Sequence, residues 1–229
     1  NAQTGITVAS TGNVGIGTAA PGAPLDIQKT IAGGDGNVPM LEITQLESEN
    51  MQIGDGSSIL FNTAITAGSS EAGASISALR TDGADSNSST LLEFRISQAD
   101  ANLDLAMEIT ENGAVRKPLQ PGFLVHPAST QVAFAENTAV TVVFGTERFD
   151  LGGNFASNTF TAPVTGKYQF NVTIQIEAME TAYTYYQLQL ITSNKTYYST
   201  VDPEGLSDPV YFPLQVSVLA DMDASDTAV

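Results

Sequence analysis

His126 is the only histidine of this 229-residue chain, and cysteine is absent. One imidazole without a second His or any thiolate can build neither a zinc site nor a histidine-dependent triad within one chain. Three copies of His126 about a three-fold axis could hold a metal, but its place beside Pro127 reads as a solvent-facing linker residue, and no metal site is expected. Gly15-x-Gly17-x-x-Ala20 has the spacing of a dinucleotide fingerprint, which works only where a helix opens at once and turns its N-terminus to phosphate. Pro21 and Pro24 forbid that helix, so the glycines read as a tight turn and no cofactor is expected.

Paired carboxylates could hydrolyse a glycan if two were held at a set separation in a cleft, one of them buried. The acids here fall in turns and on polar strand faces, with no pair set apart, so no catalytic residue is assigned and the chain is not expected to be an enzyme. Asp221, Asp223 and Asp226, with Asp35, Asp55, Asp82 and Asp85 in glycine-rich turns, offer hard oxygens suited to calcium, but their spacing is not that of an EF-hand loop. Turn chemistry explains them. The remaining candidates are aromatic. Tyr183, Tyr185, Tyr186, Tyr197 and Tyr198 combine a flat apolar face with a hydroxyl, which suits sugar stacking or protein contact. On a strand Tyr186 shares the face of Leu188 and Leu190 while Tyr185 faces away with Gln187, so most of these rings are expected in packing and the rest toward a ligand. The surface candidates are Tyr183, Tyr185, Tyr197 and Tyr198.

Charge narrows the partners. Eight Lys and Arg stand against 25 Asp and Glu, a formal charge of -17, and the basic residues are scattered. Phosphate recognition needs a clustered positive surface, so nucleic acid is excluded as an expected partner. The acidic excess reads as a solubility device. No run of eighteen apolar residues occurs, so no membrane insertion is expected, and no signal peptide is visible. Asn1 reads as the edge of a processed or partial polypeptide.

The elements that must position these residues are strands. Tyr168, Phe170, Val172, Ile174 and Ile176 alternate with Gln169, Asn171, Thr173 and Gln175, and Val210 to Ala220 repeats the pattern. Period two marks half-buried antiparallel strands, and writing it twice at such length predicts a β-sandwich. Further strands are predicted at Gln131 to Phe134, Val140 to Phe144, Phe160 with Ala162, Tyr185 to Ile191 and Thr196 to Val201. Leu92 to Ser97 and Leu103 to Thr110 alternate in the first half. The breaks fall at Ala32 to Asn37, Gly54 to Gly56, Ala67 to Gly73 and Asp82 to Ser89. Met40 to Ile53 fits helix and strand about equally. Pro118, Pro121 and Pro127 interrupt any ladder between Arg116 and Thr130 and mark a connector. One internal echo sets Thr11-Gly12-Asn13-Val14 against Asn112-Gly113-Ala114-Val115, each after an Ile-Thr pair, at an interval of about one module.

Two segments carry a resemblance. Gly12-Asn13-Val14-Gly15-Ile16-Gly17-Thr18, followed by Pro21 and Leu25, resembles the NVGIGT-type repeats of bacteriophage tail fibres, and Leu91 to Val115 is similar to the segment that precedes such a repeat. Phe160-x-Ala162-Pro163-x-x-Gly166-x-Tyr168-x-Phe170, with Phe144 to Asp150 and Gly153 to Phe155 before it, resembles the globular head of the complement and tumour necrosis factor superfamily, which implies a ten-stranded jelly roll that assembles as a trimer. That family places its last two strands after an acidic turn like Asp221 to Asp226, whereas this sequence reaches only Val229, so the native polypeptide is expected to continue.

The expected fold is therefore all-β: an elongated trimeric β fibre module over residues 1–115, a proline-rich connector over 116–129 and a jelly-roll head over 130–229, cut before its last strands. Few charges in the strands, no cysteine and a glycine-rich N-terminal half leave a single chain short of apolar burial, which three abutting copies would supply. The resemblance implies a homotrimeric phage tail fibre protein, located in the virion and extracellular. It would contact other tail proteins and present its head to a host-surface glycan or outer-membrane protein through Tyr183, Tyr185, Tyr197 and Tyr198. A non-receptor collar, capsid or connector fibre, a polysaccharide depolymerase and a bacterial adhesin or filament are the alternatives.

Overall fold

The computed structural model describes residues 5–29, 39–46, 52–84, 88–98, 102–132, 134, 137–207 and 209–229. Those residues form an all-β protein with no helix. The chain divides into two compact units, Asn1–Leu103 with Ile109–Ala114, and Asp104–Glu108 with Val115–Val229.

In the first unit β1 (Ile6–Val8) pairs antiparallel with β2 (Val14–Ile16), and β2 pairs parallel with β3 (Leu25–Ile27). The segment between β2 and β3 is too short for a helical crossover. It folds as a loop in which Asp26 Oδ2 accepts from the Gly22 amide at 2.9 Å, and Gly17 takes φ +75° where a Cβ would lie 2.0 Å from the Gln28 carbonyl oxygen. The glycines of the fingerprint-like spacing therefore lead into a loop and a parallel strand. Register puts Ile6, Val8, Val14, Ile16, Leu25 and Ile27 on one face and Thr7, Gly15 and Asp26 on the other.

The larger sheet of this unit contains β4 (Gly56–Thr66), β5 (Ser69–Arg80) and β6 (Thr90–Ile96), an antiparallel meander. β4 and β5 join through Ala67 and Gly68, the latter at φ +81°. The predicted break at Ala67 to Gly73 is therefore only its first two residues, because the ladder resumes at Ser69. It tolerates Gly73 as the extra residue of a bulge between Phe61 and Asn62. Residues 40–46 are neither helix nor strand, and 47–51 lie outside the described residues, as does the predicted break at Ala32 to Asn37.

β7 (Asp104–Ile109) and β8 (Val115–Arg116) form a hairpin. Its turn repeats the β1–β2 turn bond for bond. Thr110 N donates to Ala114 O and Gly113 N to Thr110 O, as Ala9 N does to Asn13 O and Gly12 N to Ala9 O, with Gly113 and Gly12 both at positive φ. The sequence echo is thus a recurring turn. The Ile-Thr pairs are not equivalent in it, since Thr110 opens its turn while Thr7 lies two residues ahead of Ala9.

Further along the second unit β9 (Gly122–His126) pairs with β10 (Thr146–Leu151). This corrects the expectation that prolines interrupt any ladder from Arg116 to Thr130: the strand fits between Pro121 and Pro127, and Phe123 stacks on Phe155 at 4.8 Å and Phe160 at 5.3 Å. Val140 to Phe144 is not a strand, nor are Gln131, Val132 and Phe134. Side chains take the place of rungs there: Gln131 bonds both backbone groups of Val143, and Asn158 Oδ1 accepts from the Phe144 amide at 2.7 Å. β11 (Phe155–Ala156) turns through Ser157 and Asn158, both at positive φ, into β12 (Thr159–Thr161). β13 (Gly166–Glu177) follows, then β14 (Tyr186–Ile191), β15 (Thr196–Val201), β16 (Tyr211–Met222) and β17 (Thr227–Ala228).

Three small sheets carry the core: β13 with β16, β14 with β15, and β11-β12-β17. β13 and β16 stay in register from Gly166↔Met222 to Glu177↔Tyr211. Their inner faces and those of β12 and β14 bring together Phe160, Ala162, Phe170, Leu188, Leu190, Leu214, Val216, Ala220 and Met222. Within the head-like motif, Tyr168 donates its hydroxyl to the Val164 carbonyl at 2.6 Å, which closes the Pro163–Gly166 turn against the strand that follows it.

Candidate functional site

The outer face of the β13–β16 ribbon carries uncharged polar side chains that bond across the strands. Ser217 Oγ donates to Asn171 Oδ1 at 2.8 Å, Gln215 Nε2 to Thr173 Oγ1 at 3.1 Å and Gln169 Nε2 to Ser217 Oγ at 3.3 Å. On the β14–β15 hairpin Gln187 Nε2 donates to Thr200 Oγ1 at 2.8 Å, and the Gln189 and Gln187 carboxamides bond along the strand. Alternation in the sequence dictates this arrangement, since every second residue must face away from the core.

An open groove of about 470 Å³ runs between β15 and β16, lined by Lys195 to Ser199 and by Gln215 to Val218. Successive strand residues point to opposite faces, so consecutive lining residues mean that the groove follows the strand edges rather than one face. Among the described residues β15 is hydrogen-bonded only to β14 and β16 only to β13, so both edges turn backbone groups to the groove. Lys195 is its one charged residue, and its Nζ lies 5.4 Å from the centroid of the Tyr197 ring. The lining holds no carboxylate, so it assembles no glycosidase pair. It offers a cation, aromatic edges, hydroxyls and amides, which are groups for binding.

Of the four predicted tyrosines, the groove gathers Tyr197 and Tyr198 and leaves Tyr183 and Tyr185 apart. Tyr197, opposite Leu190, packs against the core. Tyr198, opposite Gln189, is 66% exposed. Tyr183 meets Tyr186 edge to face at 5.6 Å, and Tyr185 is exposed just ahead of β14. Tyr186 faces inward with Leu188 and Leu190, as alternation predicts, and its hydroxyl accepts from the Glu180 amide at 2.9 Å. Lys195 and Gln215 carry no signal in the sequence, because the groove exists only once strands from separate hairpins lie side by side.

His126 is not the linker residue the sequence suggests. It sits on β9 opposite Thr146, with Nδ1 3.0 Å from the Pro127 carbonyl. A carbonyl only accepts, so Nδ1 carries the hydrogen, and Nε2 is buried without a partner. The acidic turn after β16 bonds within itself and to the neighbouring turns and strand. Asp226 Oδ2 accepts from the Asp223 amide and from Asn194 Nδ2, both at 2.8 Å, and Lys167 pairs with Asp221. Among the described residues no three His, Asp or Glu side chains come together as a metal cluster. Sequence reasoning passed over two half-buried ion pairs, Arg95 with Glu93 and Arg116 with Glu108, each at 2.6 Å. The Glu93-x-Arg95 spacing, which puts opposite charges on one face of a strand, was the available signal for the first. Comparison with family models and with curated protein sequences finds no match.

Proposed function

We propose that this chain is a structural bacteriophage tail fibre protein that assembles as a homotrimer and presents a jelly-roll head to a receptor on the bacterial surface. The observation that carries this reading is the segment from Phe160 to Phe170. Its aromatic and small residues enter the core while the middle of the ribbon that follows turns the uncharged polar side chains Gln169, Asn171, Thr173, Gln175, Gln215 and Ser217 to solvent, between the Lys167–Asp221 pair at one end and Glu177 at the other. Beside that ribbon lies the groove with Tyr198 at its edge. Flat rings flanked by amides and hydroxyls suit sugar rings, whose faces are apolar and whose rims are hydroxyls. Three such heads on a repetitive cell surface gain avidity without any one tight site, so no residue need do chemistry. The reading places the protein in the virion, outside the cell, in contact with other tail proteins.

A second reading, a fibre whose head docks only to another virion protein, draws on the pair Leu124 and Phe149. They face each other across β9 and β10 and are both about half exposed. Labelled full chain applied to a panel of bacterial strains separates the two. Receptor recognition predicts saturable binding to a subset of strains, competed by their surface polysaccharide or lost with an outer-membrane protein. Absence of binding to every strain would sink it.

A further inference from the structure

In the meander of β4, β5 and β6 the polar and apolar faces are exposed the wrong way round for a single chain. Cross-strand register puts Ser57, Ile59 and Phe61 beside Ala78, Ile76 and Ala74, and these beside Leu92, Phe94 and Ile96, so the centre of one face carries eight apolar residues and one serine, with Arg80 and Thr90 at one end and Thr63 and Glu71 at the other. The opposite face carries Ser58, Ser75, Ser77, Glu93 and Arg95 along with Leu60, Leu79 and Leu91. Yet Ser75, Ser77 and Glu93 are 6% exposed, whereas Ile59, Phe61 and Ile96 are 40%, 50% and 42% exposed. Ser58 bonds Ser77, and Glu93 pairs with Arg95, so the polar side is satisfied within the chain. The apolar side is not.

We infer that the apolar face of β4–β6 packs against the same face of the other copies of this chain, the three faces meeting about a three-fold axis. This rests on the homotrimeric reading proposed above and assigns it a surface. Charge selects the occupant. A chain of net charge -17 repels its own copies wherever carboxylates face each other, and the centre of this face carries none of the 25 Asp and Glu, Glu71 standing only at its end beside Thr63. Area points the same way. At about 60–120 Å² for each aliphatic side chain removed from water, Ile59, Phe61, Ile96 and their half-buried neighbours leave several hundred Å² uncovered. That is a substantial part of the ~800 Å² per partner of a stable interface.

Sedimentation equilibrium on the full chain tests this. The wild type is expected at three times the 23.9 kDa chain mass. Phe61→Glu, which puts a carboxylate on the apolar face, is expected to weaken association at least tenfold. Leu60→Glu, one residue away on the opposite face and equally exposed, is expected to leave it intact. Because the chain has no cysteine, Phe61→Cys supplies a lone thiol, and oxidation should join two chains covalently where Leu60→Cys does not. That readout holds if Phe61→Glu fails to fold. A wild type that sediments as a single chain overturns the trimer and this inference with it. A trimeric wild type whose Phe61→Glu variant stays trimeric and whose Phe61→Cys variant does not cross-link overturns this inference alone.

Discussion

The carboxamide of Gln131 closes a two-bond ring with the peptide of Val143: Nε2 donates to the carbonyl and Oε1 accepts from the amide, each at 3.0 Å. One side chain thus supplies both hydrogen bonds that a paired strand residue would make, in a segment where no ladder forms. Gln131→Ala should lower stability by about 1 kcal/mol, the net worth of such bonds. Gln131→Glu should cost at least as much, because a carboxylate accepts and cannot donate to the Val143 oxygen. Urea unfolding midpoints decide it, and a Glu variant as stable as wild type would refute the ring's contribution.

Phe160 is the centre of the aromatic packing, with ring centroids 5.3 Å from Phe123, 5.3 Å from Tyr168 and 5.6 Å from Phe170. Phe160→Ala should destabilise the second unit by about 3–5 kcal/mol through lost transfer energy and the cavity left behind. Val164→Ala, at an exposed position whose backbone alone bonds Tyr168, should change stability by no more than ~0.5 kcal/mol. Thermal unfolding of the two variants side by side makes the comparison.

Gly73 is the bulge residue of β5, and a Cβ there would lie 2.2 Å from Thr63 Oγ1. Gly73→Ala should cost about 1–3 kcal/mol by overpacking. The obstructing atom belongs to a side chain, so Thr63→Ala in the same molecule should recover part of the loss. A double-mutant cycle reads the coupling, and strict additivity would show that the clash is not the cause.

Tyr197 and Tyr198 are neighbours on opposite faces of β15, the first packed against the core and the second exposed. On the proposed receptor reading, Tyr198→Ala should leave the unfolding midpoint nearly unchanged and weaken cell binding up to tenfold, the worth of one aromatic contact. Tyr197→Ala should lower stability, because its ring packs against the core. Equal effects of the two changes on binding, at equal stability, would contradict this division.

Legibility followed from how many residues voted for each element. β13 and β16 were readable because Tyr168 to Ile176 keeps an uninterrupted period of two and Phe212 to Ala220 breaks it only at Leu219, and the same alternation set Tyr197 and Tyr198 on opposite faces. β9 was not, because Pro121 and Pro127 bracket a strand short enough to need no amide from either. β5 was obscured by its own composition. Ser69 to Gly73 looks like a turn, yet small residues suit a bulge as well as they suit a break. Val140 to Phe144 has apolar alternation but bonds to side chains of Gln131 and Asn158, which no local pattern encodes. The groove was legible only in its tyrosines, since the closeness of Lys195 to Gln215 and Ser217 is a product of packing.

The register of β13 against β16 also fixes how this part of the molecule bears load. Gly166, where β13 begins, lies opposite Met222, where β16 ends. Tension entering from the N-terminal side and leaving toward the C-terminal side therefore pulls on one end of the ribbon, and its rungs part in succession like a zip. A pull applied across opposite ends would have to break them all together. The ribbon is mechanically soft along the direction of the chain, and a tether fixed at both of those points would yield gradually before it snapped.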